Sequence, residues 1–202
     1  MRYISIDLET TGLDDENNQI IEFGAVLEDT NNPLPLDDLP TYHAYVTHPN
    51  GVLTGDVFAL SLNAGIISKL KNQKELESKY NFIRVEDLAE SFLSWLQYHG
   101  FKLKTKNKGC IDEYECSESF TVAGKNFTGF DKRFLNRVPD FNKLIKIDRR
   151  VIDPATLFVD WDKDNRLPAL DQCKERAGIE GAVTHLAVDD AKDVIELLRT
   201  KY

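Results

Sequence analysis

The sequence predicts an α/β domain built on a mixed β-sheet, and three observations carry that prediction. Apolar, β-branched runs at 3–6, 20–27 and 42–47 follow one another with only turns and a loop between them, as a meander does. Helical spacing takes over at 60–70 and again at 85–98. From residue 120 onward short strands alternate with helical segments, the pattern of a sheet covered by helices. A chain of 202 residues that is 42% hydrophobic can bury one core of ordinary size, so residues 1–202 are read as a single domain.

Residues 2–13 open the first strand. Tyr3, Ile4 and Ile6 favour extended backbone, the run ends in Asp7 and Glu9, and Thr10, Thr11 and Gly12 can turn the chain. A polar turn at 14–19 leads to 20–27, apolar enough for a strand inside a sheet, with Glu22 read as a polar edge contact. Three prolines and four Asn/Asp make 31–40 a surface loop, and 42–47 alternates as a third strand. In the helix at 85–98, Leu88, Phe92, Trp95 and Leu96 recur at spacings of three and four and are assigned to the core.

The polar segment 102–119 reads as an insertion. Lys102, Lys104, Lys106 and Lys108 alternate there, which in a strand puts all four on one face. That face is either a solvated hairpin edge guarded by lysines or a basic arm touching a polyanion. A buried strand follows at 120–124, then a turn and a helix at 132–137. Gly124 and Gly129 have the spacing of a P-loop but lack its Lys-Ser/Thr, which excludes that motif. Across 125–150, eight Lys or Arg stand against three Asp, a local basic surface. A strand at 150–153 stops at Pro154, Gly178 closes a helix at 167–177, and a last helix spans 188–199.

The formal net charge of -9 argues against a protein that holds nucleic acid by charge alone. Carboxylates gathered around cations would give the same balance while presenting positive charge to a phosphate. Cys110, Cys116 and Cys173 form no CxxC pair and have no histidine at zinc-ligand spacing, so neither structural zinc nor a disulfide framework is expected. With no secretory leader pattern and no apolar run near the roughly 20 residues that span a bilayer, a soluble cytoplasmic protein with no membrane partner is expected.

Three places carry carboxylates in positions suited to chemistry. Asp7 and Glu9, at i and i+2 of a strand, share one face and can share a hard divalent cation. A second strand delivers Asp131 beyond its end, after the glycine-bracketed turn. The last helix opens with His185, and its apolar face is Ala187, Val188, Ala191, Val194, Ile195 and Leu198. That phase puts Asp190 where the apolar face borders the sheet and Asp189 on the solvent side.

In order, and over nearly the whole chain, Asp7-x-Glu9-Thr10-Thr11-Gly12-Leu13, Asp131 after its strand and turn, and His185-x-Ala187-x-x-Asp190 resemble the three motifs of the DEDDh 3′→5′ exonucleases. That group includes polymerase proofreading exonucleases, RNase T and oligoribonuclease. The run at 20–26 is similar to the family's second strand. One departure stands out: Asn126 lies five residues before Asp131, where many members have Asn four before, a spacing similar to that of oligoribonuclease.

The resemblance implies a ribonuclease H-like fold, a five-stranded mixed sheet flanked by helices. It further implies hydrolysis of single-stranded DNA or RNA from the 3′ end, with release of nucleoside 5′-monophosphates. Asp7, Glu9, Asp131 and Asp190 would bind two divalent cations, Mg²⁺ or Mn²⁺, whose charge offsets that of the carboxylates before a phosphodiester approaches. His185 would be the general base, as suits an imidazole near neutral pH. The backbone of Thr10 would meet the terminal 3′-hydroxyl and Leu13 would wedge against the last base, with Thr11, Asn126 and Phe130 as further substrate contacts. Neither DNA nor RNA is selected by the motifs, nor is a polymerase or a second copy as partner. A metal-dependent hydrolase of another phosphate ester or nucleotide is the rival reading. An inactive nucleic-acid-binding scaffold is disfavoured by the presence of all five motif residues.

Overall fold

A computed structural model describes residues 1–108 and 111–202, with side chains at all of these except 105–108 and 111–114. The chain begins as a meander of β1 (Arg2–Thr10), β2 (Ile20–Asp29) and β3 (Thr41–Thr47), each antiparallel to the one before. Short helices α1 (Val57–Leu62), α2 (Ala64–Lys71) and α3 (Gln73–Leu76) lead to β4 (Phe82–Arg84), which runs parallel to β3 at the sheet's edge. After α4 (Leu88–Tyr98) come β5 (Leu103–Lys108) and β6 (Ile111–Cys116), an antiparallel pair outside the main sheet. Then β7 (Phe120–Ala123), α5 (Asp131–Leu135), α6 (Phe141–Leu144) and β8 (Ile147–Ile152) extend the sheet on the other side of β1, both strands parallel to it. The chain ends with α7 (Leu170–Ala177) and α8 (Ala187–Arg199).

The main sheet runs β4-β3-β2-β1-β7-β8, six strands where five were expected. The extra strand is β4, three residues long, too short to leave an alternation in the sequence. Glu22 also departs from expectation. Because β2 lies between β1 and β3, Glu22 is an interior residue, 1% exposed. The segment expected to carry an alternating lysine face is the hairpin of β5 and β6. Lys104 stands opposite Glu115 and pairs with it at 2.9 Å, so its charge is met across the hairpin. The side chains of Lys106 and Lys108, and all of Cys110, lie outside the described residues. Cys116 and Cys173 are buried free thiols. Among the described residues, no helix is long and apolar enough to cross a membrane.

Side-chain alternation along β1 decides what each face of the sheet holds. Ile4, Ile6 and Leu8 point to the face covered by α4, where Phe23, Tyr42, Phe92, Phe120 and Phe141 form the largest part of the core. Phe92 stacks on Phe141 at 6.3 Å and meets Phe23 at 4.9 Å; losing a buried phenylalanine from such a site costs about 3–5 kcal/mol. The odd residues of β1 face α8, and Tyr3 joins Val26, Ala191, Val194, Ile195 and Leu198 there. Asp7 and Glu9 follow Tyr3 in phase and so belong to the α8 face.

Helix α8 is drawn tightly onto the sheet at both ends. At its start a Cβ on Gly24 would lie 2.4 Å from the Ala187 carbonyl carbon, so only glycine allows this approach of β2 and the helix. The Ala187 N–H, unsatisfied within the helix, donates to Glu22 Oε2 at 2.9 Å, while Glu22 Oε1 meets His43 Nε2 at 2.7 Å. At the far end Arg199 pairs with the fully buried Glu28 at 2.6 Å.

Candidate active site

The carboxylates of β1 sit where the sheet loses a strand. Strand β7 stops at Ala123, opposite Ser5, whereas β1 continues to Thr10. The unpaired edge beyond is filled by Asp131, the first residue of α5, whose Oδ1 accepts the Leu8 N–H at 3.0 Å. Glu9 and Asp131 are buried, Asp7 is mostly so, and Asp190 enters from the first turn of α8, 6% exposed. One ligand atom each from Glu9, His185 and Asp190 lie within 4.8 Å of one another.

Burial governs the titration of all four carboxyl groups. It is the largest influence raising Glu9 to about 7, Asp131 to about 8 and Asp190 to about 6, with the charge of Asp190 next for Glu9 and that of Asp193 next for Asp190. Asp131 is partly relieved by its own backbone N–H and that of Leu8. Asp7 is raised well above the ordinary carboxylate range by burial, then by the charges of Asp131, Asp190, Glu9 and Glu22. Asp190 Oδ1 is buried without a hydrogen-bond partner. A buried, unpaired carboxylate oxygen beside three more carboxylates is costly, and hard divalent cations are bound by such an all-oxygen set. The residues present therefore fit Mg²⁺ or Mn²⁺.

His185 is exposed at the start of this helix, with a left-handed backbone, φ 53°. Histidine is among the few non-glycine residues that adopt that conformation with some frequency. Asp189, its near neighbour on α8, accepts the Thr184 hydroxyl at 3.3 Å and stays partly exposed.

The expected substrate contacts divide. Leu13 is 77% exposed, just past the end of the strand that carries Asp7 and Glu9. The hydroxyl of Thr10 is used internally, donating to the Gly12 carbonyl at 2.7 Å. Thr11 does not fit the expected role. It is fully buried, its hydroxyl donates to Thr54 O and accepts from Gln19 N, and its carbonyl accepts the Asp56 N–H. Its polar groups are spent on holding two loops together. Asn126 occupies a left-handed position, φ 55°, exposed at the turn before α5, with its amide oxygen folded over Gly129. Phe130 packs on Phe134 at 5.1 Å and on the main core, half-buried.

Three features were not anticipated. Asn63, buried at the join of α1 and α2, holds down the titration of the Glu9 carboxyl and donates from Nδ2 to the Thr10 carbonyl at 3.1 Å. Glu22 anchors the start of α8, and with it Asp190. Helix α1 has no buried residue, and Val57 and Phe58 are 85% and 79% exposed. Cβ atoms on Gly12 and Gly55 would collide with Asp56 and with the Thr11 carbonyl. These close contacts set the start of α1 beside Leu13. Val57–Leu62 holds five apolar residues in six, yet the helix buries none of them.

No protein-family model matches the chain, and no curated protein matches it in sequence. Solved structures do match in fold. E. coli Exonuclease I in complex with a dT13 oligonucleotide aligns with a TM-score of 0.63 at 15% identity, over 98% of this chain and 40% of that one. The zinc-bound form of the E. coli Exonuclease I complex with single-stranded DNA gives 0.65, again at 15% identity and the same coverages. Cell-death related nuclease 4 (CRN-4) gives 0.59 at 17% identity, covering 98% of this chain and 62% of that one. The chain thus spans about 40% of the length of Exonuclease I. These likenesses establish a shared architecture: the mixed sheet and its flanking helices form a ribonuclease H-like fold.

Proposed function

We propose that the protein is a metal-dependent 3′→5′ exonuclease that hydrolyses phosphodiester bonds of single-stranded nucleic acid and releases nucleoside 5′-monophosphates. The observation that carries this reading is the convergence of Asp7, Glu9, Asp131 and Asp190 from three separate parts of the chain, each with its carboxyl titration raised by burial. The fold shared with E. coli Exonuclease I, solved with single-stranded DNA and with zinc, supports both the substrate class and the need for a divalent ion.

Asp7, Glu9, Asp131 and Asp190 would hold two Mg²⁺ or Mn²⁺ ions. When bound, such ions neutralise the carboxylates, ease deprotonation of water and stabilise the attacking and leaving oxygens. Asn63 favours the ionised form of Glu9, and the Leu8 N–H fixes the carboxylate of Asp131. His185, at the exposed rim, takes the proton of the attacking water on a ring nitrogen. The water oxygen bonds to phosphorus as the bond to the 3′ oxygen of the preceding nucleotide breaks, so phosphate departs on the 5′ side of the released nucleoside. Leu13, Val57 and Phe58 offer the exposed apolar surface against which the last base stacks. A second reading makes His185 a metal ligand, because its ring nitrogen lies within 4.8 Å of donor atoms of Glu9 and Asp190.

Digestion of matched 5′-labelled DNA and RNA oligomers in Mg²⁺ or Mn²⁺ tests the proposal. Labelled products should shorten one nucleotide at a time, with nucleoside 5′-monophosphates recovered by chromatography. Early release of a labelled mononucleotide would reverse the polarity. Hydrolysis confined to free nucleotides or simple phosphate esters would replace the reading by its rival.

A further inference from the structure

The sheet ends at β8, and between the open edge of that strand and α5 and α6 runs a groove of about 960 Å³. Lys132, Lys146, Arg149 and Arg150 line it, with Asp148 as its carboxylate, in a chain of net charge -9. Asp148 is engaged by the hydroxyls of Ser119 and Thr121. Half of the eight cations expected as a basic surface over 125–150 are paired with acids. Arg133 and Arg137 pair with Asp15, Lys143 with Asp140, and Lys146 with Glu115. Among the described residues, Lys132, Arg149 and Arg150 have no acidic partner, and all three face this one groove. As the outer strand, β8 also leaves one row of backbone N–H groups unpaired.

We propose that this groove carries the phosphodiester backbone of the strand whose 3′ end enters the carboxylate site; the proposal rests on the nuclease reading and names the path of its substrate. Three arguments favour a polyanion on this path. Unneutralised cations gathered in one groove repel each other until an anion joins them, and a phosphate chain is the anion repeated along a line. The groove reaches the neighbourhood of the site, since its lining includes Lys132, the residue after Asp131. Its length also fits. In register, Ile152 lies level with Ala123 and Ile147 with Phe120, so β8 leads from the site's end of the sheet to the opposite end. Its residues at about 3.3 Å each span roughly 20 Å, room for several phosphates. Arg149 lies on the face of Ile147 and Val151, which pack against the α4 side, and Arg150 on the other, so the two flank the open edge. Contacts of this kind hold backbone and not bases, so binding along the groove is indifferent to sequence.

The test uses Arg149→Gln/Arg150→Gln, both exposed, without an acidic partner among the described residues and outside the carboxylate site. Lys132 is left intact because it adjoins Asp131. Binding of a long single-stranded thymidine oligomer and of a dinucleotide is read by fluorescence anisotropy in Ca²⁺ across about 50–200 mM salt. For the long oligomer the slope of log affinity against log salt should become shallower by about 1.4, at about 0.7 for each phosphate that the protein no longer neutralises. Its affinity should fall roughly tenfold, as expected for two exposed charge pairs, and Arg149→Lys/Arg150→Lys should restore most of the slope. Dinucleotide binding should be unchanged. Overlapping slopes, or equal weakening of both ligands, would overturn the proposal, as would a polyglutamate peptide whose binding alone depends on the two arginines, since that would make β8 a strand-addition site for acidic peptides. Cleavage by the wild type with overlapping slopes removes the groove alone. Separated slopes with no cleavage of any oligomer remove the nuclease reading and leave the groove.

Discussion

Asp189 and Asp190 are adjacent in sequence and opposite in setting: one is partly exposed and bonded to Thr184, the other buried with an oxygen lacking any partner. Helical phase alone separates them, which is why Asp190 was legible before the fold. Asp7 and Glu9 were legible for the analogous reason, the two-residue period of a strand. Thr11 was not, because a motif gives a residue's position but not where its hydroxyl is spent. Asn63 was hidden too, since a lone Asn between two helices looks like a cap until Glu9 is seen beside it. At this scale His185 is the residue with two candidate roles. His185→Ala should leave Mn²⁺ binding by calorimetry intact and lower the single-turnover cleavage rate by roughly 10²- to 10⁴-fold, the effect of removing a general base. Loss of Mn²⁺ binding along with the rate would make His185 a ligand.

Among the elements, α8 does the most to build the site, and its seating depends on β2 as much as on its own apolar face. That face could be read from spacing, but the means of docking could not. Gly24 looks like a weak point in a strand until Ala187 is found against it, and Glu22 looks like an edge residue until β2 is known to be interior. The missed elements share a cause. Strand β4 is too short for a period, and α1 spends its apolar residues on solvent, so neither announces itself by amphipathicity. Gly24→Ala should destabilise the protein by about 1–3 kcal/mol, because the added methyl meets helix backbone and not a side chain that can swing away. Cleavage should fall further than the folded fraction, since the displaced helix carries Asp190. As control, Gly65→Ala in α2, with open space around it, should be neutral or stabilising by up to about 1 kcal/mol. Equal melting curves for wild type and Gly24→Ala would dissolve the argument for close approach.

For the molecule as a whole, the order of motifs along the chain fixed the architecture more securely than any single motif, because a ribonuclease H-like sheet brings those three places to one end. Hidden in the sequence were the groove at β8 and the pairing of half of the basic stretch, both matters of which acid meets which cation in the fold. Stability should also register the gathered carboxylates. Their folded-state titration is raised, Asp190 to about 6, Glu9 to about 7 and Asp131 to about 8, so between the ordinary carboxylate range and those values the folded protein keeps protons that the unfolded chain has lost. Stability is therefore highest at the acid end of that window and falls as pH rises through it. Bound divalent cations replace those protons and bind best where the groups are ionised. The most direct test is thermal melting at about pH 5 and about pH 8, in EDTA and in Mn²⁺, for wild type and Asp7→Asn. In EDTA the wild-type Tm should drop from the lower pH to the higher, Mn²⁺ should recover it at the higher pH with little effect at the lower, and Asp7→Asn should shrink both changes. A wild-type Tm at pH 8 indifferent to Mn²⁺ would contradict the claim that Asp7, Glu9, Asp131 and Asp190 form a cation site.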